Sequence, residues 1–278
     1  MFEFFGRRCV LLMLIAVVGL YPLTGQAQTV PSAAILLQHD AVKNAEAARW
    51  ERQLYLSPAG LTADSDAEPG EASMPRFAAS LASVQWLGHA PDGSLTLMIE
   101  QEHWIVRWAQ RPAAATVIVL TFDMPPLLLS ELEPVKSVGD GSILLPGCMA
   151  VTTGEKIRYE PQTFKNTVGY WAGKQDSCEW KFETTRTGTF NVEVLQGCGT
   201  GQGGSRAKLT LPASENAASL EFDVLETGHF QNFLWRHLGT IDVTASGAHS
   251  LKIEPIEIKH AALVDIRAVH LIPVPPAK

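Results

Sequence analysis

The sequence predicts an all-β protein: an antiparallel jelly-roll sandwich, preceded by a small β-meander and one N-terminal helix. Two observations carry the sandwich. From Glu179 onward, short runs alternate apolar and polar residues with the period of a half-buried strand, and 22 Gly and 17 Pro punctuate the chain where helices would need neither. A third observation limits the helix content, because only residues 32–54 are rich enough in Ala, Leu, Glu and Arg to read as helical.

In chain order, the first element is a processing signal. Arg7-Arg8 precedes a nearly unbroken apolar run from Cys9 to Leu23, and Thr24-Gly25-Gln26-Ala27 places small residues where a signal peptidase cuts. Residues 1–27 are therefore expected to be a signal peptide, which implies an exported protein, periplasmic or extracellular. Residues 28–56 hold the amphipathic helix, with Ser32 as its N-cap and Ser57-Pro58 beyond its end. That helix would cover the meander or recruit a partner protein. Residues 57–76 are acidic and rich in Pro, Gly and Ser, the composition of a flexible linker.

Residues 77–147 form the meander and lead-in, with strands expected over Leu95–Ile99, Trp104–Trp108 and Thr116–Phe122. Residues 148–275 form the jelly roll. Its strands are expected over Glu179–Glu183, Thr189–Leu195, Ala207–Leu211, Leu220–Val224, His237–Val243, His249–Glu254 and Leu263–Ile272.

Charge and cysteine content narrow the function classes. The net charge is -7, and loss of Glu3, Arg7 and Arg8 with the signal would make it -8. Nucleic-acid binding and docking to anionic lipid both call for a concentrated basic surface, so neither is expected. Cys148, Cys178 and Cys198 would remain, and an oxidising compartment favours one disulfide among them, with the pairing open. None has the C-x-x-C spacing of a zinc site.

Catalytic signatures are sparse. Gly199 to Gly204 satisfies G-x-G-x-x-G, yet a strand, not a helix, follows it, so no helix N-terminus meets a pyrophosphate. The loop reads instead as a glycine-rich hairpin connection. No G-x-S-x-G or H-E-x-x-H motif occurs. Aromatic residues are more telling. Trp180 and Phe182 share a strand face and read as core. Tyr170-Trp171 and His229-Phe230-Gln231-Asn232 fall in connections, where a ring flanked by amide donors can stack on a sugar.

A resemblance emerges from these residues. IRYEPQTFKNTVGYW, EWKF, GTFNVEVLQGCGTGQGGS, TGHFQNF, LGTIDV and VDIRAVHLIP, between Lys156 and Pro273, closely resemble a C-terminal accessory module of secreted bacterial α-L-fucosidases and sulfatases. VIVLTFDMPP and DGSILLP look like the segment that precedes it. More distantly, the order of features resembles family 6 carbohydrate-binding modules of galactose-binding-like fold. The resemblance implies rings at Tyr170 and Trp171 and at Phe230, with His229, Gln231 and Asn232 beside the last, and a polar contact near Asp265. It also implies a structural calcium held by a carboxylate corresponding to Glu160. Close relatives carry an Asp-Trp pair where this chain has Asp176-Ser177-Cys178, which removes one ring.

The segment before the module is too short for a fucosidase barrel or a sulfatase core, so a non-catalytic protein that recognises a glycan or polysaccharide is expected. A structural or protein-interaction sandwich is the alternative. A hydrolase would require paired carboxylates or a metal cluster in one cleft.

Overall fold

The computed structural model describes residues 29–64, 68–212 and 218–275, so the expected signal peptide lies outside the described residues. Eight strands make the N-terminal part: β1 (Ile35–Leu36), β2 (Ala45–Trp50), β3 (Gln53–Pro58), β4 (Gly70–Pro75), β5 (Leu81–Trp86), β6 (Leu95–Ile99), β7 (His103–Trp108) and β8 (Ile118–Phe122). They form an antiparallel sheet in the order β1-β2-β3-β8-β5 and a second in the order β4-β7-β6. Leu54, Leu56, Met74, Phe77, Trp86, Trp104 and Phe122 fill one core between them.

The helix expected over 32–54 is not formed, and with it goes a helical docking surface for a partner. Ala, Glu and Arg favour a helix only weakly, and pairing of β2 with β3, itself held against β8, overrides that preference. Trp50 pairs with Gln53 across a two-residue turn, and Glu51 takes φ 49°, which no right-handed helix permits. Leu54 and Leu56 are wholly buried on β3.

The linker expected over 57–76 is also replaced in its described part. Residues 70–75 are strand β4, paired with β7 and burying Ala72 and Met74. Gly70 is required there, since a Cβ would come within 2.4 Å of the Trp108 indole. The ordered N-terminal part thus begins well before Phe77, and the meander of the 77–147 segment is only half of a two-sheet unit.

Twelve further strands follow: β9 (Val135–Lys136), β10 (Ile143–Pro146), β11 (Val151–Thr153), β12 (Arg158–Glu160), β13 (Thr167–Gly169), β14 (Ser177–Thr184), β15 (Gly188–Gly197), β16 (Arg206–Leu211), β17 (Ala218–Asp223), β18 (Leu234–Val243), β19 (Gly247–Glu257) and β20 (Asp265–Pro273). One sheet runs β12-β13-β20-β15-β18, with β10 also on β20. The other runs β11-β14-β19-β16-β17, with β9 added to β14 as a parallel strand. Inward residues of the two sheets, among them Trp180, Phe182, Phe190, Val192, Val194, Leu209, Ile253 and Val269, make the second core, as a sandwich requires.

The two cores meet. Cys148 and Tyr159, from the C-terminal part, pack with the N-terminal core. Arg76 is buried at this junction, donating from Nη2 to the Cys148 carbonyl at 3.0 Å and lying 5.0 Å from the Tyr159 ring centre. Burial lowers its pKa to about 10. Leu81 N–H donates to the Pro161 carbonyl at 2.6 Å.

The disulfide expected among the three cysteines is not formed: Cys148, Cys178 and Cys198 are each buried with a free thiol. Desolvation raises the Cys148 pKa to about 11, so it behaves as a packed apolar group. Among the described residues, no helix is long and apolar enough to cross a membrane.

Candidate functional site

One end of the C-terminal sandwich gathers most of the residues singled out in the sequence. The register explains why. Arg158 pairs with Gly169, Val168 with Ile266, Asp265 with Gly197, and Gln196 with Leu234. Five neighbouring strands therefore end or begin in one row, and the connections after β13, after β15 and before β18 leave from it.

Tyr170 and Trp171 separate at this row. Tyr170 is 48% exposed and holds the left-handed backbone at φ 55°. The Arg158 guanidinium lies 3.4 Å from its ring centre, so a cation covers one ring face. Trp171 is instead fully buried, which corrects its expected ligand-binding role. Its Nε1 donates to the Asp176 carbonyl at 3.1 Å, and its own carbonyl accepts from Leu263 N–H at 2.7 Å. Asp176 completes the turn by accepting from the backbone N–H groups of Glu155, Ala172 and Gly173. The flip at Tyr170 sends the next side chain inward, and Asp176 locks that arrangement.

The second connection is organised by glycines. A Cβ on Gly197 would come within 2.1 Å of the Phe230 carbonyl oxygen, and one on Gly199 within 2.9 Å of the Phe230 ring. Phe230 therefore lies half-buried against bare backbone. His229, Gln231 and Asn232 are exposed, but two of the three spend polar atoms locally. His229 Nδ1 accepts from Gln231 N–H at 3.0 Å, and Asn232 Nδ2 donates to the Thr227 carbonyl. The glycine-rich segment is not a hairpin connection. It leaves β15 in one sheet and enters β16 in the other, and Glu226 Oε1 accepts from Gly201 N–H at 2.8 Å.

Between these connections sits a buried carboxylate pair. Asp265 Oδ1 and Glu160 Oε2 lie 2.7 and 2.8 Å from the point where a Gly169 Cβ would stand. Glu160 is ion-paired with Lys165. Desolvation first, and the neighbouring Glu160 charge second, raise the Asp265 pKa to about 8, so its carboxyl stays largely protonated at neutral pH.

The residues around Glu160 do not fit a calcium ion. One carboxylate oxygen is occupied by the Lys165 ammonium, which already supplies a positive charge. No group of three or more Asp, Glu, His or Cys that could hold a metal occurs among the described residues. Nor do the two carboxylates line an open cleft, as hydrolysis of a glycoside demands, because each residue is less than a tenth exposed.

Sequence reasoning missed the cations. Arg158, Lys165 and Arg267 all contribute: Arg267 stacks 3.8 Å from the Phe233 ring centre and donates to the Phe164 and Lys165 carbonyls. Phe164, 60% exposed, stands on the connection those bonds hold. Arg267 falls at an ordinary polar position of an expected strand and Arg158 outside any expected strand, and nothing in a single sequence sets them apart.

No family model matches the chain, and no curated protein matches it. Solved structures with similar folds include the C-terminal CBM6 of LamC, a laminarinase from Zobellia galactanivorans, at 18% identity and a TM-score of 0.38, covering 48% of this chain and 99% of that one. A family 35 carbohydrate-binding module from Clostridium thermocellum matches at 11% identity and a TM-score of 0.39, covering 48% and 98%. An α-L-fucosidase from Vibrio sp. strain EJY3 matches at 11% identity and a TM-score of 0.33, covering 82% of this chain and 39% of that one.

Proposed function

We propose that the C-terminal sandwich is a carbohydrate-binding module of jelly-roll, galactose-binding-like type, carried by an exported, non-catalytic protein. One observation supports this reading above the others. Tyr170 is held outward in an unfavourable backbone conformation, at a cost of about 1–2 kcal/mol, while the adjacent Trp171 is fully buried. Such strain persists where surrounding structure fixes it, and it concentrates at ligand sites. Phe230 lies half-buried at the same end, and the exposed Gln231 beside it supplies a polar partner for hydroxyls.

Sugar sites of this kind exchange water hydrogen bonds for protein ones and gain little net energy. Dissociation constants of about 10 μM to 1 mM are expected. Isothermal titration of the full chain against a panel of neutral, fucosylated, uronic-acid-containing and sulfated glycans tests the reading. Heat with at least one member, lost in Tyr170→Ala, supports it. Silence across the whole panel contradicts it.

The protein-interaction alternative draws on the internal use of Trp171 and Asn232, which leaves fewer free groups at this end than the sequence suggested. Pull-down with a defined partner and no glycan binding would favour it. Cleavage after Ala27 is checked by intact mass of the protein recovered after export.

A further inference from the structure

Resting on the carbohydrate reading of this end of the sandwich, we propose that the saccharide taken there bears an oxyanion, a carboxylate or a sulfate ester, met by the guanidinium of Arg158. The geometry that leads to this is the stack itself. A neutral sugar packs its C–H face on an open ring, but one face of Tyr170 is covered by Arg158 at 3.4 Å. What the end presents is therefore a ring backed by a planar cation, and a guanidinium meets an oxyanion through paired N–H donors.

Arg158 is available for that task. It is half-buried, its Nε is buried without a hydrogen-bond partner, and no ion pair to it occurs among the described residues. The acidic groups nearby are already engaged. Glu160 is paired with Lys165, and Asp265 holds its proton at neutral pH, with a pKa of about 8. Arg267 adds a second cation on β20, two strand spacings from β12, or about 10 Å. It spends donors on the Phe164 and Lys165 carbonyls but keeps its charge. Arg158, Lys165 and Arg267 are the cations of this end; of its carboxylates, Glu160 is held by Lys165, while Asp176 and Glu226 accept from backbone N–H groups and not from Arg158. A guanidinium set directly on the exposed ring favours an anion over a neutral ligand there, and the preference weakens as salt rises.

Titration calorimetry of the full chain with three probes tests the proposal: oligogalacturonate for carboxylate, dextran sulfate for sulfate ester, and dextran for the neutral case. At least ten-fold tighter binding of one anionic probe than of dextran is expected, and Arg158→Gln should abolish that preference. Which anionic probe wins identifies the oxyanion. Should Arg158→Gln fail to fold, the unaltered chain decides, because raising NaCl from about 0.05 to about 0.5 M must loosen the anionic complex several-fold. Equal affinity for dextran, or an anionic preference untouched by Arg158→Gln, overturns the inference while the carbohydrate reading stands. Failure with these probes and with the whole glycan panel overturns that reading too.

Discussion

The two sandwiches of this chain treat their aromatic side chains differently. In the N-terminal one, Phe77, Trp86, Trp104, Trp108 and Phe122 pack edge to face or stacked against one another, with centres 5.7 to 6.3 Å apart, and all are buried. In the C-terminal one, Trp171, Trp180, Phe182 and Phe190 are equally buried, but Phe164, Tyr170 and Trp235 stand 45 to 60% exposed. Among the described residues, no aromatic of the N-terminal sandwich is so exposed. Burying a ring is the default, since each hides a large apolar surface. Rings left outside, one of them on strained backbone, therefore mark where this molecule has a use for them.

The largest expected effect tests the buried side of that contrast. Trp171→Ala removes a fully buried indole and its hydrogen bond to Asp176, and should cost about 3–5 kcal/mol of stability in urea unfolding. Near-wild-type stability would mean that Trp171 is not core.

The buried carboxylate at the boundary comes next. Asp265 has a folded pKa of about 8, raised above the ordinary value of 3.8. Below the unfolded value both states are protonated, and the stability linked to this group is fully present. As pH rises toward 8, the unfolded chain ionises while the folded one keeps its proton, so that stability is lost. Asp265→Asn should remove the slope, and the difference in urea midpoint between variant and wild type should grow from pH 4 to pH 8. A difference that stays flat with pH contradicts the assignment.

A smaller effect concerns the space beneath the same group. Gly169→Ala pushes a methyl against both carboxylates and should destabilise by about 1–3 kcal/mol, read from the thermal midpoint. The smallest stability effect is expected outside. Tyr170→Gly releases the left-handed strain, leaving stability within about 1 kcal/mol of wild type while glycan heat disappears. A large loss of stability would instead make Tyr170 a structural residue.

The strands from β14 onward were legible in the sequence because each has one face in the core and one outside, so their side chains alternate. β2 and β3 were not, since Ala45 to Trp50 carries helix-favouring residues and its pairing with β3 depends on a turn at Glu51 that composition does not reveal. At the site, Tyr170 and Trp171 looked alike as neighbours in a connection. A single positive φ at Tyr170 and the bonds of Trp171 to Asp176 and Leu263 give them opposite fates. Arg158 was invisible because its meaning lies in what it covers, a ring on the next strand's end.

The most direct test of the account is to map amide chemical-shift changes on the full chain during titration with the glycan that gives the strongest heat. The account predicts changes clustered at Arg158, Phe164 to Tyr170 and Phe230 to Phe233. Changes confined to the N-terminal sandwich, or to the face around Trp235, would contradict it.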